Sequence, residues 1–160
     1  MSALPTTIRA KAVAVIRRQD EVLLSFAIDP DSGARYGRFL GGGIEPGEQP
    51  EETVRRELLE EIGVAVRSVT RVGVLDNSFA SGGRTHRETV VVCTAEFVDV
   101  ADYGRSAFSV KEAVCDGPAE WVRIDRIVRG IIVVYPPELP PLLDRLVSPT
   151  LHQATPSKSS

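Results

Sequence analysis

The order of apolar and polar positions divides the chain into strands, one clear helix, further strands and a closing helix. Residues 8–16 are β-rich and stop at the polar break Arg17-Arg18-Gln19-Asp20. Val22, Leu23, Leu24 and Phe26 resume the apolar pattern over 21–28, so the two segments predict a hairpin. Asp29-Pro30-Asp31-Ser32-Gly33 has turn chemistry: Asp and Ser bond the nearby backbone, Pro presets φ, and Gly tolerates a positive φ. A short strand over 36–40, ended abruptly by Gly41-Gly42-Gly43, is expected next.

The clearest helix covers 50–62. Pro50 suits the first helical position, Glu51 and Glu52 favour the positive end of the helix dipole, and Gly63 supplies a C-terminal stop. Strands are predicted at 64–75 and 89–98, joined by an exposed connection at 77–87 that contains Gly82-Gly83. A polar stretch at 99–118 precedes a short strand at 120–123, a short helix at 124–130 and a final helix at 138–147. The expected fold is α/β, a mixed sheet sandwiched between helices. It forms a single domain over 1–147, followed by a polar, flexible tail at 148–160.

Composition narrows the possible functions. Nineteen Lys and Arg against 22 Asp and Glu leave a net charge of -3, which argues against nucleic acid or a membrane surface as a partner. The N-terminal residues lack the apolar core of a leader, and no apolar run approaches the roughly 18 residues of a membrane span. A cytoplasmic protein is expected. Two cysteines are too few for a disulfide scaffold, and Cys93 is expected to be a buried, reduced thiol.

The chemistry is concentrated in residues 42–64, GGIEPGEQPEETVRRELLEEIGV. On a wheel of about 100° per residue, Val54, Leu58 and Ile62 form the apolar stripe, Glu61 borders it, and Glu57 and Glu60 continue to one side. Like charges at these spacings repel, and Glu60 and Glu61 stand at the negative end of the helix dipole. A divalent cation reverses both penalties, and an all-oxygen cluster suits Mg²⁺ or Mn²⁺ rather than zinc. The competing reading is a solvated face of ion pairs; Glu51–Arg55 and Glu52–Arg56 have the favourable i,i+4 order.

This segment resembles the signature of the Nudix hydrolases, G-x5-E-x7-R-E-U-x-E-E-x-G-U, with U a bulky aliphatic. Gly42, Glu48, Arg56, Glu57, Leu58, Glu60, Glu61, Gly63 and Val64 fill every defined position. Residue frequencies put a chance match on the order of one in ten million, so coincidence is a poor explanation. The flanking strands agree with the family over about 7–147, as do Tyr135-Pro136 and Leu142-Leu143. One departure is Leu40 where many members have proline before the glycines.

The resemblance implies a Nudix α/β/α sandwich that hydrolyses a nucleoside diphosphate linked to another moiety. It implies Mg²⁺, or Mn²⁺, held by Glu57, Glu60 and Glu61, with Glu48 directly or through water, and the backbone of Gly42 and Gly43 against the site, where an added Cβ is expected to clash. Glu57 or Glu61 would also lie near the attacking water, and Arg56 would hold a carboxylate by a salt bridge. A further carboxylate from the loop at 99–118 or just beyond would complete the site: Glu112 is preferred over Asp116 and Glu120. Arg35 and Arg38 are candidates for phosphate contact, and Tyr36 and Phe39 for stacking on a base. Phe79 is expected to line a pocket or cap the core, and Trp121 to seat the final helix on the sheet.

The leading expectation is therefore a pyrophosphohydrolase of nucleoside di- or triphosphates or their derivatives, with an ADP-ribose or NDP-sugar hydrolase as a separate alternative. A homodimer is compatible with the family. The alternatives are a non-catalytic nucleotide-binding domain, disfavoured because every signature glutamate is present, and an isopentenyl diphosphate isomerase, whose His and Cys pattern is missing.

Overall fold

A computed structural model describes residues 7–112 and 114–147. The expected tail at 148–160 lies outside the described residues. The chain forms β1 (Thr7–Arg18), β2 (Glu21–Ile28), β3 (Arg35–Arg38), β4 (Leu40–Gly43), α1 (Pro50–Ile62), β5 (Val66–Ser81) and β6 (Arg84–Phe97). A short 3-10 turn, β7 (Ala107–Phe108), β8 (Ala119–Arg123), α2 (Ile124–Val128) and α3 (Leu139–Val147) follow.

The sheet is mixed, in the order β5-β6-β1-β2-β8-β7, with β3 on β2 and β4 on β1. β1 and β6 run parallel; the other strand pairs are antiparallel. The predicted hairpin forms, but β1 and β2 pair only beside their turn, at Arg17↔Val22 and Arg18↔Glu21. Beyond it they part, and the gap takes β4 against β1 and β3 against β2. This divergence lets in β4, a strand with glycine at three of its four positions.

Residues 36–40 therefore do not make one strand that stops at the glycines. The chain switches partners at Phe39, and the three glycines belong to β4, where Gly41, Gly42 and Gly43 face Val13, Ala12 and Lys11. Gly41 has φ +150°, and a Cβ there would lie 2.1 Å from the Ala12 carbonyl oxygen. Only glycine fits so close an approach.

The expected connection at 77–87 is also strand. β5 and β6 continue their ladder through Asn77↔Glu88 and Phe79↔His86 to a tight turn at Gly82 and Gly83, both at positive φ. The segment is polar, so it carries no apolar alternation, yet the backbone bonds extend the hairpin regardless.

Both faces of the sheet are covered. On one, Val54, Leu58 and Ile62 of α1 join Ala12, Ala14, Ile16 and Cys93. On the other, Ile127 of α2 and Leu139, Leu142 and Leu143 of α3 join Val13, Val15, Val22 and Leu24. Burial on both sides explains the unbroken apolar run from Ala12 to Ile16. This is the expected α/β/α sandwich. Cys93 is a fully buried free thiol, and burial pushes its pKa up to about 11.

Trp121 does not seat α3. It lies on the α1 side with Phe97, Tyr103 and Phe108, beneath the Arg18 guanidinium, and its Nε1 donates to the Arg105 carbonyl at 2.8 Å. Strand alternation gives the α3 side to its neighbour Val122. No helix among the described residues is long and apolar enough to cross a membrane.

Candidate active site

Helix α1 begins and ends as its sequence predicts. Glu52 accepts from the Gln49 backbone N–H at 3.1 Å, and Gly63, at φ +69°, donates to the Leu59 carbonyl at 3.0 Å. The two expected i,i+4 pairs give way to other partners. Glu51 takes Arg71 through two contacts at 2.6 and 3.0 Å, Glu52 serves as the cap, and Arg56 turns towards the signature carboxylates. A forked, two-point contact outcompetes a single flexible surface pair.

Arg56 organises the acidic cluster. Its Nε and Nη2 each donate to Glu48 at 2.9 Å, Nη1 donates to Glu57 at 2.8 Å, and Nη2 also reaches the Gly43 carbonyl at 3.0 Å. Glu60 is a weaker partner, at 3.5 Å. These bonds, Arg56 first and the Thr53 hydroxyl second, hold the Glu48 carboxyl down at about 2. Glu48 and Glu57 in turn raise the pKa of Arg56, so its charge is permanent.

Exposure follows the angular order on the helix: Glu61 is 7% exposed, the Glu57 side chain 16% and the Glu60 side chain 60%. Burial first, then the charges of Glu112 and Glu57, push the Glu61 carboxyl up to about 8. A Cβ on Gly42 would meet the Glu57 carboxyl carbon at 2.6 Å, whereas one on Gly43 would meet open space. The loop that brings Glu112 is tied to the helix end, because the Lys111 N–H donates to the Glu61 carbonyl at 2.8 Å.

No three His, Cys, Asp or Glu side chains among the described residues are gathered as a ready-made metal cage. The carboxylates are instead tied to Arg56 and to one another. The donor set nevertheless fits a hard divalent cation. Its ligating atoms are all oxygens, and the negative charge facing Glu61 from Glu57 and Glu112 is what a cation would relieve.

Glu57, Glu60 and Glu61 of the cluster line a cavity of about 770 Å³. Tyr36, Arg38, Phe39, Gly42 and Glu112 line it as well. Glu48 and Arg56 are not among the lining residues and support the cluster from behind. Phe39 is 5% exposed and mainly a core residue.

Arg35 is not brought into the cavity: it lies over the Phe26 ring and pairs with Asp116 at 3.0 Å. Asp116 and Glu120 do not line the cavity either. Arg38 donates to Glu112 at 3.3 Å and to the Cys115 sulfur at 3.5 Å, while its Nε is buried without a hydrogen-bond partner.

Sequence reasoning missed Lys11, Asn77, Glu88 and Tyr135, all of which line the cavity. Tyr135 meets Tyr36 edge-to-face at 5.1 Å, and Phe79, which does line the cavity, stacks on His86 at 5.1 Å. A lysine within the apolar β1 run was the available signal. Its partner Glu88 could be found only from the parallel pairing of β1 with β6.

The NUDIX domain family model matches residues 7–140. The chain is 31% identical over 127 residues to rat diphosphoinositol polyphosphate phosphohydrolase 2, covering 71% of this chain and 65% of that protein, somewhat under two thirds of its length. Among solved structures, a MutT NUDIX hydrolase from Burkholderia pseudomallei is 26% identical at a TM-score of 0.55, covering 74% of this chain and 85% of that one. A NUDIX hydrolase from Nitrosomonas europaea is 24% identical at a TM-score of 0.60, covering 88% of each chain, and supports the fold. The complete signature on a capped helix, the sandwich that carries it and these matches together make this chain a member of the Nudix hydrolase family.

Proposed function

We propose that this chain is a Mg²⁺-dependent pyrophosphohydrolase of a nucleoside di- or triphosphate or a derivative, acting in the cytoplasm. The observation that carries the reading is the cavity itself, with an Arg56-braced carboxylate cluster and the aromatic pair Tyr36 and Tyr135 on its wall. Glu57, Glu60 and Glu61 would hold the cation, with Glu48 joining directly or through water. When bound, Mg²⁺ or Mn²⁺ neutralises pyrophosphate oxygens and lowers the pKa of a coordinated water.

The chain's own groups do the rest. Arg56 fixes Glu57 and Glu48 so that neither must reorganise as charge develops. Glu112 is a proton acceptor held by Arg38 at 3.3 Å and anchored through the Lys111–Glu61 backbone bond. The glycines of β4 leave the backbone open between the cluster and the rest of the cavity.

The rat relative's name raises a diphosphoinositol polyphosphate as a second substrate class. The cavity's charge disfavours it. Its described lining includes Asp29, Asp31, Glu57, Glu60, Glu61, Glu88 and Glu112 against Lys11, Arg38 and Lys111. A polyphosphorylated inositol needs cations around much of its rim, whereas a nucleotide needs them at one end only.

Phosphate and nucleotide products measured over NTPs, dNTPs, NDPs, ADP-ribose, NDP-sugars and a diphosphoinositol polyphosphate separate the two. Nucleotide turnover exceeding inositol turnover by at least tenfold is expected. The opposite order would replace the nucleotide reading.

A further inference from the structure

Beside the glycine strand, on the neighbouring strands of the same sheet, the cavity has a polar wall that no step above uses. Strand alternation puts Lys11 and Val13 of β1, Glu88 and Val90 of β6, and Asn77 and Phe79 of β5 on the cavity side, and all six line it. Glu88 Oε1 lies 3.5 Å from Lys11 Nζ, with side-chain exposures of 11% for Glu88 and 37% for Lys11. Asn77 stands directly across from Glu88 in the β5–β6 register. A carboxylate accepts along about four lone-pair directions, and one contact at 3.5 Å takes up a fraction of them.

The wall is also at a useful distance. Lys11 faces Gly43 across one strand spacing, and Glu88 is one strand further and two residues along, opposite Arg9, so its backbone lies roughly 12 Å from Gly43. β4 is the strand whose Gly42 touches Glu57. A nucleoside whose phosphates meet the carboxylates carries its base to this wall.

We propose that Glu88, with Lys11 and Asn77, is the specificity-determining group and reads a guanine base. This rests on the nucleotide reading above. Guanine presents N1–H and the N2 amino group side by side, matching the two oxygens of one carboxylate, and its O6 accepts from the Lys11 ammonium. Adenine and cytosine each offer a single amino donor beside acceptors, and the uracil N3–H is flanked by two carbonyls. Neither pattern satisfies a two-oxygen acceptor with a cation next to it. A buried polar group left without its partner rejects the wrong ligand strongly.

The test compares GTP, ITP and dGTP in the wild-type chain and in Glu88→Gln and Asn77→Ala, reading kcat/KM and, by calorimetry, binding. ITP lacks only the 2-amino group. The wild-type chain is expected to prefer GTP over ITP by at least tenfold. In Glu88→Gln that ratio falls towards one, chiefly through loss on GTP, at an unchanged melting temperature.

A wild-type ratio near one, or a ratio that survives in Glu88→Gln, overturns the assignment. Equal losses on GTP and ITP with dGTP spared would place Glu88 on the ribose hydroxyls and overturn it as well. If no nucleotide is hydrolysed, the pyrophosphohydrolase reading fails instead, and the GTP-to-ITP binding ratio still decides the role of Glu88.

Discussion

Arg56 and Glu61 occupy opposite electrostatic extremes of one helix. Arg56 is bonded to two carboxylates and a backbone carbonyl, so its geometry is fixed before any substrate arrives. Glu61 is buried beside like charges and is raised from 4.5 to about 8. A raised carboxyl pKa means that the folded chain keeps a proton which the unfolded chain releases above about 4.5. Its stabilising contribution in the cation-free protein is therefore complete at acid pH and is lost as pH rises towards 8. In EDTA, the melting temperature should fall between pH 5 and pH 8.5, and Glu61→Gln should flatten that slope. Equal slopes in the two proteins would show that Glu61 carries no such proton. At this scale the sequence was informative: the wheel ordered Glu61, Glu57 and Glu60 as their burial does, because helical spacing alone sets that order. It offered Arg35 as a phosphate contact, whereas the structure pairs Arg35 with Asp116 of a distant loop, away from the cavity lining.

The element that makes the site possible is β4. Two adjacent glycines there do different things, and substitution separates them. At Gly42 an added Cβ meets the far end of the flexible Glu57 side chain, so Gly42→Ala should fold normally while displacing Glu57. Misplacing a catalytic group by about an ångström costs on the order of 100-fold in rate, and that loss should appear in kcat. At Gly41 the Cβ meets the Ala12 backbone and φ is +150°, so Gly41→Ala should unfold at a lower temperature, with a backbone strain of about 1–3 kcal/mol added to the clash. Thermal melts and kcat for the pair check this; similar melting temperatures would contradict it. The sequence marked these glycines as a strand terminator because isolated glycines weaken strands. Their true place depends on β1 and β2 parting, which only the assembled sheet shows. By contrast α1 was legible to the residue, since its proline, its acidic first turn and its Gly63 stop are all local signals.

Across the whole molecule, the cavity arises where three departures from a simple sheet meet. The β1–β2 split admits the glycine strand, the long β5–β6 hairpin supplies a wall through Asn77 and Phe79, and the segment before α3 contributes Tyr135. The sandwich could be read from strand and helix order, but the wall could not, because Lys11 and Glu88 meet only through a parallel pairing of segments far apart in sequence. On the function proposed above, the carboxylates of this cavity bind a divalent cation and the chain hydrolyses a pyrophosphate bond there. The direct test is nucleotide hydrolysis by the wild-type chain and by a folded Glu57→Gln, Glu61→Gln double variant, each with Mg²⁺ and with EDTA. Turnover is expected only in the wild-type protein with Mg²⁺. Equal turnover in the double variant, or turnover untouched by EDTA, would contradict that function.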